Sequence, residues 1–553
     1  MLTRFAPDEV SISRVREETA ETPTTRATLN SMSSKVCSIL NDVLGPVMRG
    51  PSSSHTAGAH RIAILSRALL GERPAAVRCV FDPNGSYAPT YKPSGVDLAF
   101  AAGLLGWEMT DERYSMAWEV ARKAGTELSF DIAPLRHADH PDAILIEMTG
   151  DRGGTLTLWA KSTGGGAVNA YRLEDFPVAL DGKSWDTLVL VDDSRAGVLS
   201  DVLHQAFGAG SAQSRLSRGG KTLLHWQSPS SLETAQTKAL SAIQGVRRVM
   251  ISPPIFFPQV GTELFGSTAE MVKAAEERGC TLGAVSVAYE SALLGFSEEE
   301  VTTEMNRRYS VMRASVAAGL VDGNVDMPLT DPSASRILAA ESRGAVAVGG
   351  PLTRAAARAM AVMHVCNSRG VVCAAPTGGS AGVLPGVLVT LEEDLKVNTS
   401  TVIQALWAAS AVGLIVAKRA TFAAEEAGCQ VEIGVAGAMA AAAVMEASGG
   451  TPQQAVDAAA ISLQNTMGSV CDPVGGGCEI PCHTRNAVAA SNAFICADLI
   501  LGGYRNPIPL DETIDASLAV GKMLLPELRC TARGGIAAAP SARVLVEKRN
   551  RRK

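Results

Sequence analysis

The 553-residue chain lacks the features that mark several common protein classes. Its net charge of −6 provides no basic surface for nucleic acid, and the basic end at residues 547–553 is typical of a solvated terminus. No stretch reaches the roughly 18 uninterrupted apolar residues of a membrane span. The first 34 residues contain acidic side chains and no apolar core, which argues against a secretory signal or a transit peptide. We therefore expect a cytoplasmic protein without nucleic-acid or membrane partners, preceded by a poorly ordered leader.

Aromatic residues are also scarce, at 5% of the chain, which predicts aliphatic, alanine-rich cores. The eleven cysteines are spread over the whole length, whereas a small disulfide-stabilised scaffold would have them densely spaced. In a large intracellular protein we expect free thiols, and a local group of thiols then indicates a metal site. The length predicts about two to four domains.

Three segments with different residue patterns follow the leader (1–34) and predict a multidomain protein. Residues 35–185 mix helical patterns with β-rich runs such as "AVRCVFD" and "AILIEMTG", which predicts an α+β domain. Residues 186–258 alternate as strand, helix, strand, strand, helix, strand, the βαββαβ order of small regulatory modules. Residues 259–553 carry helix formers at helical spacing and predict an all-α domain. In it, "STVIQALWAASAVGLIVAKRATFAAEEAG" is expected to be one long helix that ends at Cys429.

Three cysteines lie on a glycine- and proline-rich stretch, "SVCDPVGGGCEIPCHTRNA" at residues 469–487. A single cysteine there would usually be a small buried hydrophobe. Turns, however, can direct several thiolates at one point, and Cys429 lies on another glycine-flanked turn. Structural zinc usually takes four ligands in CxxC pairs, and this chain contains no CxxC pair. An iron–sulfur cluster held by three thiolates would leave one iron open to act as a Lewis acid.

Three motifs together resemble the iron–sulfur-dependent L-serine dehydratases (L-serine ammonia-lyases). They are "CDPVGGGCEIPCHTRNA", "AAPTGGSAGVLPG" at 374–386 and "GPSSSHTAGAHRIA" at 50–63. The resemblance covers roughly residues 36–545 in the fused order of a small domain, an ACT-like module and a helical catalytic domain. It implies conversion of L-serine to pyruvate and ammonia by β-elimination, and a homodimer. It also implies a [4Fe-4S] cluster on Cys429, Cys471 and Cys482.

The resemblance places the active site at the "GPSSSHT" and "APTGGSAG" stretches. His55, one of eight histidines, is the candidate for the base that removes the α-proton, with hydroxyls of Ser53 and Ser54 as helpers. His60 would face elsewhere, about 140° away around a helix. The candidate substrate-binding residues, which include hydroxyl and backbone N–H donors suited to a carboxylate, are Ser52, Thr56, Asp97, Thr377, Gly378, Gly379 and Ser380.

The chain departs from the family pattern at several positions. In "TYKPSGVD" (90–97), Ser94 stands where the family has a histidine and Val96 where it has a threonine. Cys478 replaces an aliphatic residue and Cys530 replaces a glutamate, so each thiol is either a bystander or a candidate fourth iron ligand. A fourth permanent thiolate would close the iron.

Three alternatives follow from these departures and from one further motif. One alternative is the same elimination on another β-substituted amino acid, and a second is a degenerate, non-catalytic sensor. The run "STGGGAVNA" (162–170), with Lys35 as a Schiff-base candidate, also permits a pyridoxal-phosphate enzyme, although a lone glycine run after a strand is usually an ordinary turn. Retention of His55, the three cluster cysteines and both glycine-rich loops favours an active iron–sulfur enzyme.

Overall fold

The computed structural model describes residues 35–207, 212–321, 323 and 325–552. The predicted leader, residues 1–34, therefore lies outside the described residues. Residues 36–553 group into one compact unit by their contacts.

The first part of this unit contains a six-stranded sheet covered by helices. Two π-helical turns, Ile39–Val43 and Ser53–Ala57, flank the first strand of the chain, which is not part of this sheet. The regular elements are β1 (Val47–Arg49), α1 (Gly58–Leu70), β2 (Pro74–Phe81), α2 (Tyr87–Thr90), α3 (Val96–Leu105), α4 (Ala117–Lys123), β3 (Glu127–Ile132), β4 (Ala143–Gly150), β5 (Thr155–Gly164), β6 (Ala167–Leu173) and β7 (Phe176–Leu180). The strand order is β3-β2-β4-β5-β6-β7, with only the β2–β3 pair parallel.

The next segment forms a four-stranded antiparallel sheet with two helices. Its elements are β8 (Trp185–Asp192), α5 (Ala196–Phe207), β9 (Ala212–Arg218), β10 (Lys221–Ser228), α6 (Thr234–Ser241) and β11 (Val246–Ser252), and the strand order is β11-β8-β10-β9. Successive residues of β8 point to opposite faces. Val189 and Val191 join the core beneath the module's own helices, whereas Leu188 packs into the core of the six-stranded sheet.

The remainder is mostly helical. Its elements are α7 (Thr268–Glu277), α8 (Leu282–Leu294), α9 (Glu298–Gly319), α10 (Ala334–Ser342), α11 (Pro351–Asn367), β12 (Val371–Cys373), α12 (Val383–Glu393), α13 (Thr399–Arg419), α14 (Ala424–Ala427), α15 (Ile433–Ala447), α16 (Pro452–Gln464), α17 (Cys482–Leu501), α18 (Leu510–Met523) and α19 (Pro540–Arg552). Side-chain caps fix several helix starts, such as the capping boxes of Ser297 with Glu300 and of Thr451 with Gln454.

Two segments of this region, α13 and Cys429–Ala447, are long and apolar enough to cross a membrane by length and composition. Most of each is buried, and both contribute to the main hydrophobic core together with α8, α12 and α16. They are core helices of this fold.

The helical region is not all-α, and its boundary does not fall where the sequence predicts. Strand β12 pairs antiparallel with β1, with Val47 opposite Cys373. Residues 37–44 pack into the helical core, where Glu290 of α8 accepts hydrogen bonds from Ser38 Oγ and from the backbone N–H groups of Ile39 and Leu40. The first residues of the predicted α+β domain therefore belong to the core of the helical region.

The expected long helix ending at Cys429 is wrong. Helix α13 ends at Arg419, and Phe422 then forms a β-bridge with Gly164, at the end of β5. A Cβ at Gly164 would lie 2.5 Å from the Ala423 backbone nitrogen, so the close approach requires glycine there. This contact between distant parts of the chain overrides the helical propensity of residues 420–428. Cys429 instead begins a 3₁₀ turn, Cys429–Val431.

Candidate active site

The three motif segments meet at one small cavity. It lies among the Ser53–Ala57 turn, the loop before α12, the segment around α14 and the cysteine loop before α17. The residues that line it are Ser52, Ser54, His55, Thr90, Ser94, Gly379, Glu425, Glu432, Ile433, Cys471, Pro473, Gly476, Cys478, Cys482 and Cys530.

The histidine turn is built by the serines that precede it. Ser52 caps the π-helical turn, and its Oγ accepts a hydrogen bond from the His55 backbone N–H at 3.3 Å. Tyr87 donates its hydroxyl hydrogen to the Ser54 carbonyl at 3.2 Å, and its ring packs edge-on against the imidazole. The imidazole is held in one place and is 1% exposed.

Ser53 joins this turn to the glycine-rich loop before α12. Its Oγ accepts a hydrogen bond from the Gly378 N–H at 3.1 Å. A Cβ at Gly378 would lie 2.9 Å from the Ser53 backbone nitrogen, so the two loops approach this closely only with glycine at 378. Ser53 thus fastens two motifs together and does not line the cavity.

The loop residues predicted to bind substrate mostly use their polar groups within the protein. Thr377 and Ser380 cap each other, with their hydroxyl oxygens 3.0 Å apart, and Gly378 donates to Ser53. Only Gly379 of this loop lines the cavity, and a Cβ there would be 3.5 Å from a carboxylate oxygen of Glu432. The expectation that all four residues present donors to a substrate carboxylate is not met.

Both ring nitrogens of His55 make hydrogen bonds to hydroxyls. Nδ1 lies 2.9 Å from Ser54 Oγ and 3.3 Å from Ser52 Oγ, while Nε2 lies 3.0 Å from Ser86 Oγ. Burial lowers the pKa of His55 below its ordinary value, opposed by the nearby Glu425 carboxylate. The imidazole is therefore neutral at neutral pH and able to accept a proton.

Two buried carboxylates lie behind this histidine. Glu425 Oε1 is 3.4 Å from Nδ1 and accepts a hydrogen bond from Ser54 Oγ at 2.7 Å, and Asp142 Oδ1 is 4.0 Å from Nε2. Burial and then the charge of Glu425 raise the pKa of Asp142 well above its ordinary value. Among the described residues, these three side chains form the one group of histidine, cysteine or acidic ligand atoms within 4.8 Å of one another.

The cysteines lie on the opposite side of the cavity. Cys471, Cys478, Cys482 and Cys530 all line it, and hydrogen bonds join Cys471 to Cys530 and Cys478 to Cys482. The first pair is also tied through the backbone, since the Cys530 N–H donates to the Cys471 carbonyl at 2.8 Å. Both thiols that depart from the family pattern, Cys478 and Cys530, are therefore at the site.

Cys429 borders a neighbouring cavity together with Arg485. Burial and then the negative charges of Glu432 and Cys482 raise the pKa of Cys429. The Cys482 thiol therefore lies near that of Cys429. Burial alone would lower the pKa of Arg485, but Cys429, Asp472, Cys482 and Cys471 raise it, which places this guanidinium against the three predicted cluster thiols.

The donor set fits an iron–sulfur cluster. The three predicted thiols come from two segments, the Cys429 turn and the cysteine loop, and are buried, and Arg485 provides a positive charge that offsets thiolate charge. In the part of the chain that is described, they do not form a set within 4.8 Å, as a single-ion site would require. A multi-iron cluster, in which each thiolate binds a different iron, suits the wider arrangement.

Four other positions considered in the sequence analysis make contacts within the protein. Thr56 Oγ1 donates to the Ser94 carbonyl at 2.9 Å and does not line the cavity. Asp97 pairs with Lys92 at 2.8 Å and also lies outside the lining. Ser94 does line the cavity, and its Oγ donates to the Gly476 carbonyl of the cysteine loop at 3.4 Å. His60, as expected, faces elsewhere and is hydrogen-bonded to the Trp107 carbonyl.

Sequence reasoning missed the acidic residues of the site. Glu425 and Glu432 flank Cys429 in "EEAGCQVE", and this proximity to a cluster cysteine was the available signal. Asp142 and Ser86 come from loops of the first region, and no spacing pattern links them to the motifs.

Comparison with known proteins identifies the family of this chain. The family model described as "Serine dehydratase alpha chain" matches residues 215–537. The chain belongs to this family. A relative named "Probable L-serine dehydratase, alpha chain" from Bacillus subtilis is 40% identical over 286 residues, which cover 52% of this chain and 95% of that protein. The alpha chain of Peptoniphilus asaccharolyticus L-serine dehydratase is 36% identical over 275 residues, or 50% of this chain and 94% of that one.

The match also extends to relatives whose chains are longer than these alpha chains. "L-serine dehydratase 2" of Escherichia coli is 31% identical over 280 residues, which cover 49% of this chain and 61% of that protein. The family match contains Cys429, the cysteine loop and Cys530, whereas the His55 turn lies outside it. The folded structure is what places His55 opposite the serine dehydratase cysteines.

Proposed function

We propose that this protein is an L-serine dehydratase that converts L-serine to pyruvate and ammonia. The observation that carries the proposal is the single cavity in which a buried neutral histidine faces the thiols of the cysteine loop. The names of the relatives support serine as the substrate, and the family match supports the chemistry. Nothing in these comparisons favours a pyridoxal enzyme or a degenerate sensor.

A [4Fe-4S] cluster is proposed as the cofactor, with Cys429, Cys471 and Cys482 as its ligands. When bound, such a cluster supplies a Lewis acid that eases the departure of a hydroxide leaving group. Cys478 and Cys530 lie close enough to the other thiols to be additional ligands, and we propose that neither binds permanently, since an enzyme of this kind needs an open iron.

His55 is the proposed base. Ser54 uses its only hydroxyl hydrogen on Glu425 and Ser86 uses its own on the Cys530 carbonyl, so toward the ring both hydroxyls act as acceptors. The neutral ring carries one proton, and its other nitrogen keeps the lone pair that takes the α-proton of the substrate. Once both nitrogens are protonated, the nearby Glu425 carboxylate stabilises the resulting charge.

The test is 2-oxo acid formation after anaerobic reconstitution with iron and sulfide, measured as pyruvate from L-serine or O-acetyl-L-serine and as 2-oxobutyrate from L-threonine in separate assays. We expect L-serine to give the highest kcat/KM. A clear preference for either of the others would support the alternative that the same elimination acts on another β-substituted amino acid, to which Ser94 in the cavity wall would then contribute.

The four-stranded module is proposed to bind a small effector or to support a homodimer. One of its sheet faces packs on the first region, where Arg248 donates to the carbonyls of Leu69 and Leu70 at the end of α1. Helix α1 begins directly after the His55 turn, so the module contacts the helix that follows the base. Unchanged kinetics and unchanged oligomeric state after deletion of 186–255 would contradict both roles. A cytoplasmic location also stays a prediction.

A further inference from the structure

Glu425 uses only half of its hydrogen-bonding capacity. Its Oε1 accepts from Ser54 Oγ at 2.7 Å, while its Oε2 is buried without a hydrogen-bond partner among the described residues. The side chain is 3% exposed, and the residue lines the cavity. A buried carboxylate oxygen without a donor is costly, so this oxygen is available to a ligand that brings its own donor.

Glu425 lies among other acidic side chains. Neither oxygen of Asp142 has a fixed donor, and the Asp142 and Glu425 carboxyls are close enough to share a proton. Glu432 also lines the cavity. Among the described residues, no lysine or arginine lines this cavity, and the nearby Arg485 is paired with Asp472 at 3.0 Å.

A positively charged ligand group with hydrogen-bond donors would balance the charge of the Glu425 carboxylate. A divalent cation is disfavoured, because it would need a ring nitrogen of His55 as a ligand, and each of these nitrogens is already hydrogen-bonded to a serine hydroxyl. An alkylammonium group needs no such ligands, since it donates up to three hydrogen bonds directly to carboxylate oxygens.

We propose that Glu425 Oε2 binds the α-ammonium group of the substrate and thereby restricts this site to α-amino acids. The inference rests on the proposed function, since it assigns a subsite within the same cavity. Glu425 is thus a specificity-determining residue that also orients Ser54 and His55.

The test compares two ligands that differ by the ammonium group and do not react, because neither has a β-hydroxyl. L-Alanine and propionate are titrated by calorimetry into the anaerobic, cluster-replete enzyme. In the wild type we expect L-alanine to bind at least about tenfold more tightly than propionate, the usual effect of a buried charge-assisted contact. In Glu425→Gln this preference should fall to near unity, with propionate affinity little changed.

Glu426→Gln is the matched control. Glu426 is the neighbouring carboxylate on α14, but it pairs with His140 at 2.7 Å and does not line the cavity. It should keep the wild-type preference for L-alanine. A Glu425→Gln enzyme that keeps the preference overturns the subsite, as does a wild type that binds both ligands equally or binds neither. Pyruvate formation from L-serine by the wild type tests the proposed function separately, so the two failures are distinguishable.

Discussion

Two buried histidine–carboxylate groups in this molecule are built in different ways. In the four-stranded module, His225 Nε2 lies 2.8 Å from Asp186 Oδ1, and Gln227 donates to the same oxygen at 3.1 Å. In the cavity, His55 contacts hydroxyls, and its carboxylates stand at 3.4 and 4.0 Å. The first group is a direct pair between neighbouring strands. Each group leaves a buried carboxylate oxygen without a donor among the described residues, but only in the second do the histidine and a carboxylate, His55 and Glu425, line a cavity that also contains thiols. That shared cavity is how a site differs from a structural pair.

The largest effect on the cavity group is expected from loss of a proposed cluster cysteine. Cys482→Ala should abolish both the brown chromophore and pyruvate formation, because it removes a proposed ligand, and Cys429→Ala and Cys471→Ala should do the same. Absorbance spectra, iron content and activity after anaerobic reconstitution are the measurements. Cys496→Ala is the control: this buried cysteine lies on the same helix, α17, outside the cavity lining, and its loss should spare both readouts. A brown, active Cys482→Ala protein would contradict the assignment.

The next effect concerns the histidine itself. His55→Ala should keep the chromophore but lose about 10²–10⁴-fold in kcat, the usual contribution of a general base. The measurement is pyruvate formation per reconstituted cluster. Near-normal turnover would move the base elsewhere, to a serine among residues 52–54, and would make Ser94 the next residue to test.

Breaking the pair of His225 and Asp186 should instead lower stability and leave turnover unchanged. Asp186→Ala leaves the donors of His225 and Gln227 without an acceptor and should reduce the free energy of unfolding by about 1–3 kcal/mol. Turnover per cluster should stay at the wild-type level. Thermal unfolding and pyruvate assays check the two halves of this prediction. A large loss of kcat with an intact cluster would mean that the module pair serves the chemistry.

The smallest effect involves a third buried histidine, His60, which is hydrogen-bonded to a carbonyl at 2.7 Å. Burial lowers its pKa to about 4 in the folded state, against an unfolded value of 6.5. The unfolded chain therefore binds more protons between these values, and the stability from His60 is lost as pH falls from 6.5 toward 4. At pH 5.5 the loss amounts to about 1 kcal/mol.

His60→Gln removes this titrating group. We expect the difference in urea-unfolding midpoint between pH 7 and pH 5.5 to be smaller in the variant than in the wild type. An unchanged pH dependence would show that His60 is not neutral in the folded protein at pH 5.5.

The sequence was most informative about site residues that lie on irregular turns, because such turns require glycine, proline or serine at particular positions. Cys471 and Cys482 lie on a loop that is rich in glycine and proline, and His55 lies in a serine-rich turn, so both were visible as motifs. The alternation of β8 and the helix formers of α15 and α16 likewise made their elements predictable, because burial on one face follows the period of the element.

What could not be predicted depends on contacts between distant segments. The break after Arg419 arises from the bridge between Phe422 and Gly164, and nothing within residues 399–428 signals it. Asp142 and Glu425 are ordinary acidic residues in the sequence. They become part of the site only because the fold buries them on opposite sides of His55.

Iron spectroscopy of the reconstituted enzyme tests the central claim most directly. The claim is that three cysteines hold a four-iron cluster with one iron open to the substrate, beside a neutral His55. Mössbauer spectra of the ⁵⁷Fe-reconstituted wild type should show one iron distinct from the other three, and L-serine should change the parameters of that iron alone. Four equivalent irons that do not respond to L-serine, in an enzyme that still forms pyruvate, would contradict the account.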